Sequence, residues 1–323
     1  MFYVRGYKKY KKLLTKVLGS VSILTHTAWI QRTGPRRKEI WMNGLLNCVQ
    51  EVFLLRGKME KKTVPIIRER KGSDDKITML TAYDAIFAGI MDEEGIDIIL
   101  VGDSVGTTLL GYPNTIPVTI EEMIHHTKAV VRGTKNALVV IDMPFMSYQE
   151  GIEQARRNAG RMMKQSLAGA VKLEGGRNMK DTIKALVDID IPVMGHVGLT
   201  PQSIHRMGGY KVQGKGKDAE RLIQDALAVE EAGAFSVVLE CVPRELAKEI
   251  TGMLKIPTIG IGAGPDCDGQ VLVIYDLLGL SGEFRPKFVK RYMDMKEEIA
   301  KGVRLYIDEV KKGIFPDDNH SFH

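Results

Sequence analysis

The 323-residue sequence has no run of 18 or more apolar residues, so nothing in it reads as a membrane span. It has only three cysteines, Cys48, Cys241 and Cys267, far apart and without a C-x-x-C pair. That argues against a disulfide framework or a zinc knuckle and suits a reducing compartment. No G-x-G-x-x-G follows the first strand-like segment, which weighs against a dinucleotide fold. No repeat with a period of 20–50 residues is visible. Acidic residues are scarce in one region. Residues 1–58 hold twelve Lys/Arg against two acids, Glu39 and Glu51, whereas residues 59–323 hold 34 basic and 38 acidic residues. The formal charge of +6 therefore comes from an N-terminal extension of +10, and the body carries −4. Nothing supports a nucleic-acid-binding core.

What is there divides at residue 59. The extension is irregular and basic, with Gly and Pro interrupting its amphipathic character. An Arg-rich, acid-poor segment suits an organellar (mitochondrial) transit peptide, and a basic tail suits contact with acidic surfaces. The expectation adopted is a third one, that residues 1–58 are a mis-assigned start or a disordered segment and that the catalytic domain spans 59–323 in the cytoplasm. "MEKKTVPIIRERKG" from Met59 is a sensible lead-in to a first strand, and Arg56-Gly57-Lys58 can be encoded by a purine-rich string like a bacterial ribosome-binding site.

From residue 77 short β-branched runs alternate with segments of 3.6-residue apolar periodicity. Strands are expected at 77–82, 96–102, 137–141, 170–174, 192–196, 236–240 and 257–261, with an eighth near 271–275. Helices are expected near 85–94, 119–132, 151–168, 179–188, 218–232 and 243–254, and a long one near 286–313. Continuous rather than alternating apolar runs suit parallel strands covered on both faces. About eight such units in one domain point to a (β/α)8 TIM barrel.

In that fold the C-terminal ends of the strands carry the chemistry. Read in order they give Asp84, Asp103, Asp142, Glu174, His196 and Glu240, with Lys172 on the same strand face as Glu174. Each has a plain structural reading. Asp84 and Asp103 suit caps or Asx turns, Asp142 suits a simple pairing with a lysine, Lys172 and Glu174 suit an ion pair, and His196 suits a hydrogen-bonded core histidine. Together they are harder to dismiss, because several charges buried at one rim need compensation. A shared divalent cation would offset repulsion among Asp103, Asp142 and Glu174, and oxygen-only ligands favour Mg²⁺ over zinc. "GIGAG" (260–264) suits a phosphate turn or a plain tight turn, and "GGYKVQGKG" (208–216) a lid or a surface loop. His125-His126 reads as solvent-facing or packed on a helix.

The segments "LTAYDA", "VGDSVGTTLLGYPNTIPVTIEEMIHHTKAVVRG", "DMPFMSY", "VKLEGG", "GHVGLTPQS", "GGYKVQGKG", "VLECVP" and "IPTIGIGAG…DGQVLV" together resemble the ketopantoate hydroxymethyltransferase family, in order from about residue 62 to 313. The resemblance implies a barrel of the phosphoenolpyruvate-binding superfamily and a one-carbon transferase of pantothenate and coenzyme A synthesis. It would move a hydroxymethyl group from 5,10-methylenetetrahydrofolate to 3-methyl-2-oxobutanoate through a Mg²⁺-stabilised enolate. By motif, Asp103, Asp142 and Glu174 resemble metal-associated acids. Asp103, Ser104, Asp142 and Lys172 resemble groups that bind the keto acid, and Glu240 resembles the proton acceptor. The resemblance gives His196 no firm role. It also implies a homo-oligomer, commonly a decamer, with small-molecule substrates and neither nucleic acid nor membrane as partner.

Two rival readings follow from the same residues. Another Mg²⁺-dependent keto-acid lyase or mutase of the superfamily usually carries a catalytic cysteine in a "K-[KR]-C-G-H"-like loop, which this sequence lacks. A non-catalytic barrel that binds a keto acid would have no need of the full set of acids with Lys172.

Overall fold

The computed structural model describes residues 60–282 and 286–323, and the extension expected at 1–58 lies outside the described residues. The eight apolar runs form strands β1 (Ile77–Thr81), β2 (Ile98–Val101), β3 (Leu138–Asp142), β4 (Ala170–Glu174), β5 (Val193–Gly198), β6 (Ser236–Glu240), β7 (Thr258–Ile261) and β8 (Gly269–Leu272). They pair in parallel in chain order, and β8 returns to β1 to close the barrel.

The helices follow the apolar periodicity. They are α1 (Val64–Glu69), α2 (Ala85–Glu93), α3 (Val105–Thr108), α4 (Ile120–Gly133), α5 (Ile152–Ser166), α6 (Lys180–Val187), α7 (Ile204–Met207), α8 (Ala219–Glu231), α9 (Arg244–Met253), α10 (Ile274–Leu278) and α11 (Met295–Lys311). Local chemistry sets their starts. Asp84 Oδ1 accepts the N–H groups of Ile86 (2.8 Å) and Phe87 (2.9 Å), so this acid is the cap of α2. Thr119 and Glu122 form a reciprocal capping box at α4. His126 on α4 packs inward, its Nδ1 2.8 Å from the Tyr83 carbonyl.

Strand residues sort into two layers by their alternation. Val139, Ile141, Val171, Leu173, Val237 and Leu239 face outward into the shell of helices. Met79, Leu100, Val140, Ala170, Met194 and Val238 fill the barrel interior, joined by Ile67 of α1. Continuing the interior series toward the strand ends gives Asp142 after Val140, Lys172 and Glu174 after Ala170, His196 after Met194 and Glu240 after Val238. The same two-residue period that builds the apolar core therefore delivers charged side chains to the C-terminal mouth.

Two expectations are corrected, the extent of β8 and the start of the last helix. β8 begins at Gly269 and ends at Leu272, and the run expected to continue as strand becomes α10 from Ile274, whose N–H is taken by Thr81 Oγ1 at 3.1 Å. No helix separates β7 from β8, and "GIGAG" leads into the irregular connection 262–268. The C-terminal helix starts at Met295 after Asp294 rather than near 286. The preceding segment folds back on α10, where the Tyr292 N–H donates to the Leu277 carbonyl at 2.9 Å.

Candidate active site

β2 stops at Gly102-Asp103 because the interior there belongs to other groups. A Cβ on Gly102 would lie 2.7 Å from Ser104 Oγ and 3.4 Å from Asp142 Oδ2. Without it, the Asp103 N–H donates to Asp142 Oδ2 at 3.1 Å and both carboxylates are buried. Ser104 Oγ lies 2.9 Å from the Tyr83 hydroxyl.

The strand register then assembles a line of contacts. Asp142 is paired in register with Lys172, Glu174 with His196, and Gly198 with Glu240. Lys172 Nζ stands 3.0 Å from Asp142 Oδ1 and 3.2 Å from His196 Nδ1. His196 Nε2 stands 3.2 Å from Glu240 Oε2. An ammonium group can only donate, so Nδ1 of His196 accepts from it and Nε2 carries the imidazole proton on the side of Glu240. Burial, and then the charge on Lys172, hold His196 well below its ordinary value, so the ring is neutral.

The acids are held away from their ordinary titration. Burial first, and Asp142 second, push Asp103 up to about 7 against the opposing pull of Lys172 and Gln202. Burial and then the charge on Asp103 raise Glu174 well above its usual range. Burial pushes Glu240 up to about 7, with Lys172 opposing. Burial alone would lower Lys172, but Asp142, Glu174 and Asp103 overcome it and keep the ammonium charged. Cys241 follows Glu240 at φ 50°, a left-handed conformation that turns the chain immediately after this carboxylate.

The sequence reading missed a side chain at the centre of the network. Gln202, in the turn after β5, donates from Nε2 to Asp103 Oδ2 at 2.9 Å and to the Met143 carbonyl at 3.0 Å. Its backbone N–H donates to Glu174 Oε2 at 3.0 Å. Its Oε1 accepts from the Tyr148 hydroxyl at 2.8 Å, and that hydroxyl accepts the Glu174 N–H at 3.1 Å. Gln202 and Tyr148 stood inside the quoted motifs "GHVGLTPQS" and "DMPFMSY", but only the folded contacts show that they hold Asp103 and Glu174 in place.

A hard cation fits one corner of this site. Asp142 Oδ1 is buried and, although Lys172 lies 3.0 Å away, it accepts no hydrogen bond in good geometry. Among the described residues no three His, Cys, Asp or Glu side chains form a ready cage. Mg²⁺ does not need one, since it binds through one or two carboxylates and fills its remaining positions with water or substrate oxygen. Asp103 and Asp142 meet that requirement. Glu174 turns Oε2 to the Gln202 N–H and has Oε1 3.6 Å from His196 Nδ1, so it places a third carboxyl group beside the pair.

The family model described as ketopantoate hydroxymethyltransferase matches residues 61–318. The 3-methyl-2-oxobutanoate hydroxymethyltransferase of Geobacter metallireducens is 62% identical over 263 residues, 81% of this chain and 98% of its own length. The enzyme of the same name from Pelobacter propionicus is 58% identical over 264 residues, covering 82% and 98%. Among solved structures, a phosphonopyruvate hydrolase complexed with oxalate and Mg²⁺ superposes with a TM-score of 0.53 at 13% identity, covering 81% of this chain and 92% of its own. A 2,3-dimethylmalate lyase of the PEP mutase/isocitrate lyase superfamily gives 0.51 at 15% identity, covering 80% and 91%. These last two are likenesses of fold. The barrel, the order of its strand-end residues and the match over residues 61–318 make this chain a member of the ketopantoate hydroxymethyltransferase family.

Proposed function

We propose that the chain transfers a hydroxymethyl group from 5,10-methylenetetrahydrofolate to 3-methyl-2-oxobutanoate, giving ketopantoate, with Glu240 as the base. The observation that carries this reading is the continuous line Asp142–Lys172–His196–Glu240, with contacts of 3.0, 3.2 and 3.2 Å. It sets a cation corner at one end and an uncommitted carboxylate at the other.

The hydrogen to be removed sits on the carbon next to the ketone. Glu240, only 15% exposed and raised to about 7, takes that proton. Its working form is ionised, so turnover rises with pH through about 7 and falls as the carboxylate protonates below it. The Nε2 edge of His196 faces the same carboxylate at 3.2 Å. Asp103 and Asp142 hold Mg²⁺, which when bound supplies Lewis-acid stabilisation of the charge developing on the keto acid's oxygens. Lys172 adds a fixed positive charge beside them, and the Ser104 hydroxyl is placed by Tyr83 to bind the substrate carboxylate. Glu174 reaches the pair through Gln202. The carbanion carbon bonds to the donor's one-carbon unit, both C–N bonds of the methylene bridge break to release tetrahydrofolate, and one water supplies the hydroxyl group, its remaining proton and the one taken by Glu240 passing to the two donor nitrogens.

Self-association belongs to the same proposal. Ile299, Val303, Tyr306, Ile307 and Val310 form an apolar stripe along α11 at helical spacing, all of them exposed. A second copy of the chain is the occupant this face suits. The free thiols of Cys241 and Cys267 support a reducing, cytoplasmic setting.

The test is to incubate the full chain with 3-methyl-2-oxobutanoate, 5,10-methylenetetrahydrofolate and Mg²⁺ and to follow ketopantoate by mass. Metal-dependent product is expected. Its absence from folded protein that binds Mg²⁺ would reject this substrate pair.

A further inference from the structure

The loop that follows β5 has a charge unlike the rest of the body. Residues 204–217, "IHRMGGYKVQGKGK", contain Arg206, Lys211, Lys215 and Lys217 and no acid, within a body that carries −4 overall. All four cations are exposed, and none of their side chains makes an ion pair among the described residues. The neighbouring Arg221, by contrast, is neutralised by Asp218 (2.6 Å) and Asp225 (3.5 Å). Four unpaired cations on one short loop repel one another, and an anionic partner would relieve that.

The loop lies at the reaction centre. The Gln213 N–H donates to the Cys241 carbonyl at 2.9 Å, tying the loop to the residue after Glu240. Tyr210, 57% exposed, is raised by partial burial and by the charges of Glu240, Asp103 and Glu174, so its hydroxyl stands in the field of the site's acids. A cavity of about 160 Å³ has walls that grade from buried Tyr148, Glu174 and Gln202 to exposed Arg206. The cavity therefore joins Glu174 of the site to Arg206 at the start of the cationic loop.

We infer that residues 204–217 form the docking surface for the carboxylate-bearing glutamate tail of the one-carbon donor, with Arg206, Lys211, Lys215 and Lys217 as its cationic partners. The inference rests on the hydroxymethyl-transfer reading. A folate has its reactive methylene at one end and glutamate carboxylates at the other, so a ligand reacting beside Glu240 must send negative charge outward. The keto acid carries a single carboxylate, which the cation corner already serves. Each solvent-exposed pair is a modest contribution, so the effect accumulates over the loop and weakens with salt.

The experiment is steady-state kinetics of the full chain with donors carrying one or five glutamates. Wild type is compared with R206Q/K211Q/K215Q/K217Q and with the charge-preserving K211R/K215R/K217R. The neutralised variant is expected to raise the donor KM by roughly 10–100-fold, more for five glutamates than for one. The keto-acid KM should hold within about twofold, and the arginine variant should keep the wild-type donor KM. Added salt should erode the wild-type advantage of the longer tail. A donor KM within twofold of wild type in the neutralised variant, for both tails, overturns the inference. So does an equal rise in both KM values, which marks a general disturbance of the mouth. The wild-type chain is also assayed, without donor, for exchange of the keto acid's α-carbon proton with D₂O. No exchange and no turnover would overturn the transfer reading itself, and a normal exchange separates that failure from a failure of the docking surface.

Discussion

At the N-terminal end of the barrel, Asp92 accepts hydrogen bonds from the Lys135, Asn136 and Ala137 N–H groups (2.7–3.0 Å) and from Asn136 Nδ2 (3.1 Å). Asp268 accepts from the Gly72 and Thr258 N–H groups, Thr258 Oγ1 and Lys71 Nζ. Asp97 takes the Thr78 N–H and hydroxyl and lies within 3.6 Å of both Lys62 and Arg70. At the C-terminal end Glu240 faces a single ring nitrogen at 3.2 Å, and Asp103 shares its corner with another carboxylate. Both groups of acids are largely buried, yet burial has a different outcome for Asp268 than for Asp103 and Glu240. Burial would raise Asp268, but the donors around it outweigh that and hold it low. At the mouth too few donors oppose burial, and Asp103 and Glu240 rise to about 7. Donor supply, more than burial, separates the acids that fasten the barrel from those poised to bind and move protons.

The widest separation is expected for Asp103→Ala. Removing one of two facing carboxylates should weaken metal-dependent keto-acid binding by roughly 10²–10³-fold, read by calorimetry with Mg²⁺ present. Unchanged binding would take Asp103 out of the site. The opposite end answers in stability. Asp92→Ala strands several backbone donors and should cost about 3 kcal/mol in a denaturant titration, with the KM of the remaining folded enzyme unaltered. Gln202→Leu lies between the two cases, since it touches the acids without facing the reaction. It should lower Mg²⁺ affinity roughly 10–100-fold, measured by metal titration, while Gln202→Glu adds a carboxylate against Asp103 and should be worse.

The smallest effect is a contrast in sign. Glu240 is raised in the folded protein, so its contribution to stability is full below the ordinary carboxylate value and is lost as pH rises through about 7. Asp268 is lowered, so its contribution is present above the ordinary value and is lost as pH falls below it. Melting curves of metal-free protein should show Glu240→Gln flattening the alkaline side and Asp268→Asn the acid side, each by about a few degrees.

Much of this was legible because it follows two short periods. The alternation in "AVKLE" or "SVVLE" places the charged residue at the end of an interior-facing series, so the strand-end acids could be read off before the fold was seen. The Asp84 cap was legible for a similarly local reason. Gln202 was not, because an uncharged amide carries no periodic or titration signal and its partner Asp103 is 99 residues away. The start of β8 was missed because Gly269 looks like a turn residue. It lies in the strand because any Cβ there would come within 2.6 Å of the Ile77 carbonyl. The expected start of the last helix was drawn too early because apolar spacing continues through 286–294, where the chain is bound back to α10 instead.

The most direct test of the division between the two ends is proton exchange at the carbon next to the ketone of 3-methyl-2-oxobutanoate, followed by NMR in D₂O with Mg²⁺ and no folate, for wild type and Glu240→Gln. The account predicts exchange by wild type and a loss of roughly 10²–10⁴-fold in the variant, with its fold intact. Exchange within a factor of two of wild type would contradict it, and would leave Glu240 as another structural acid.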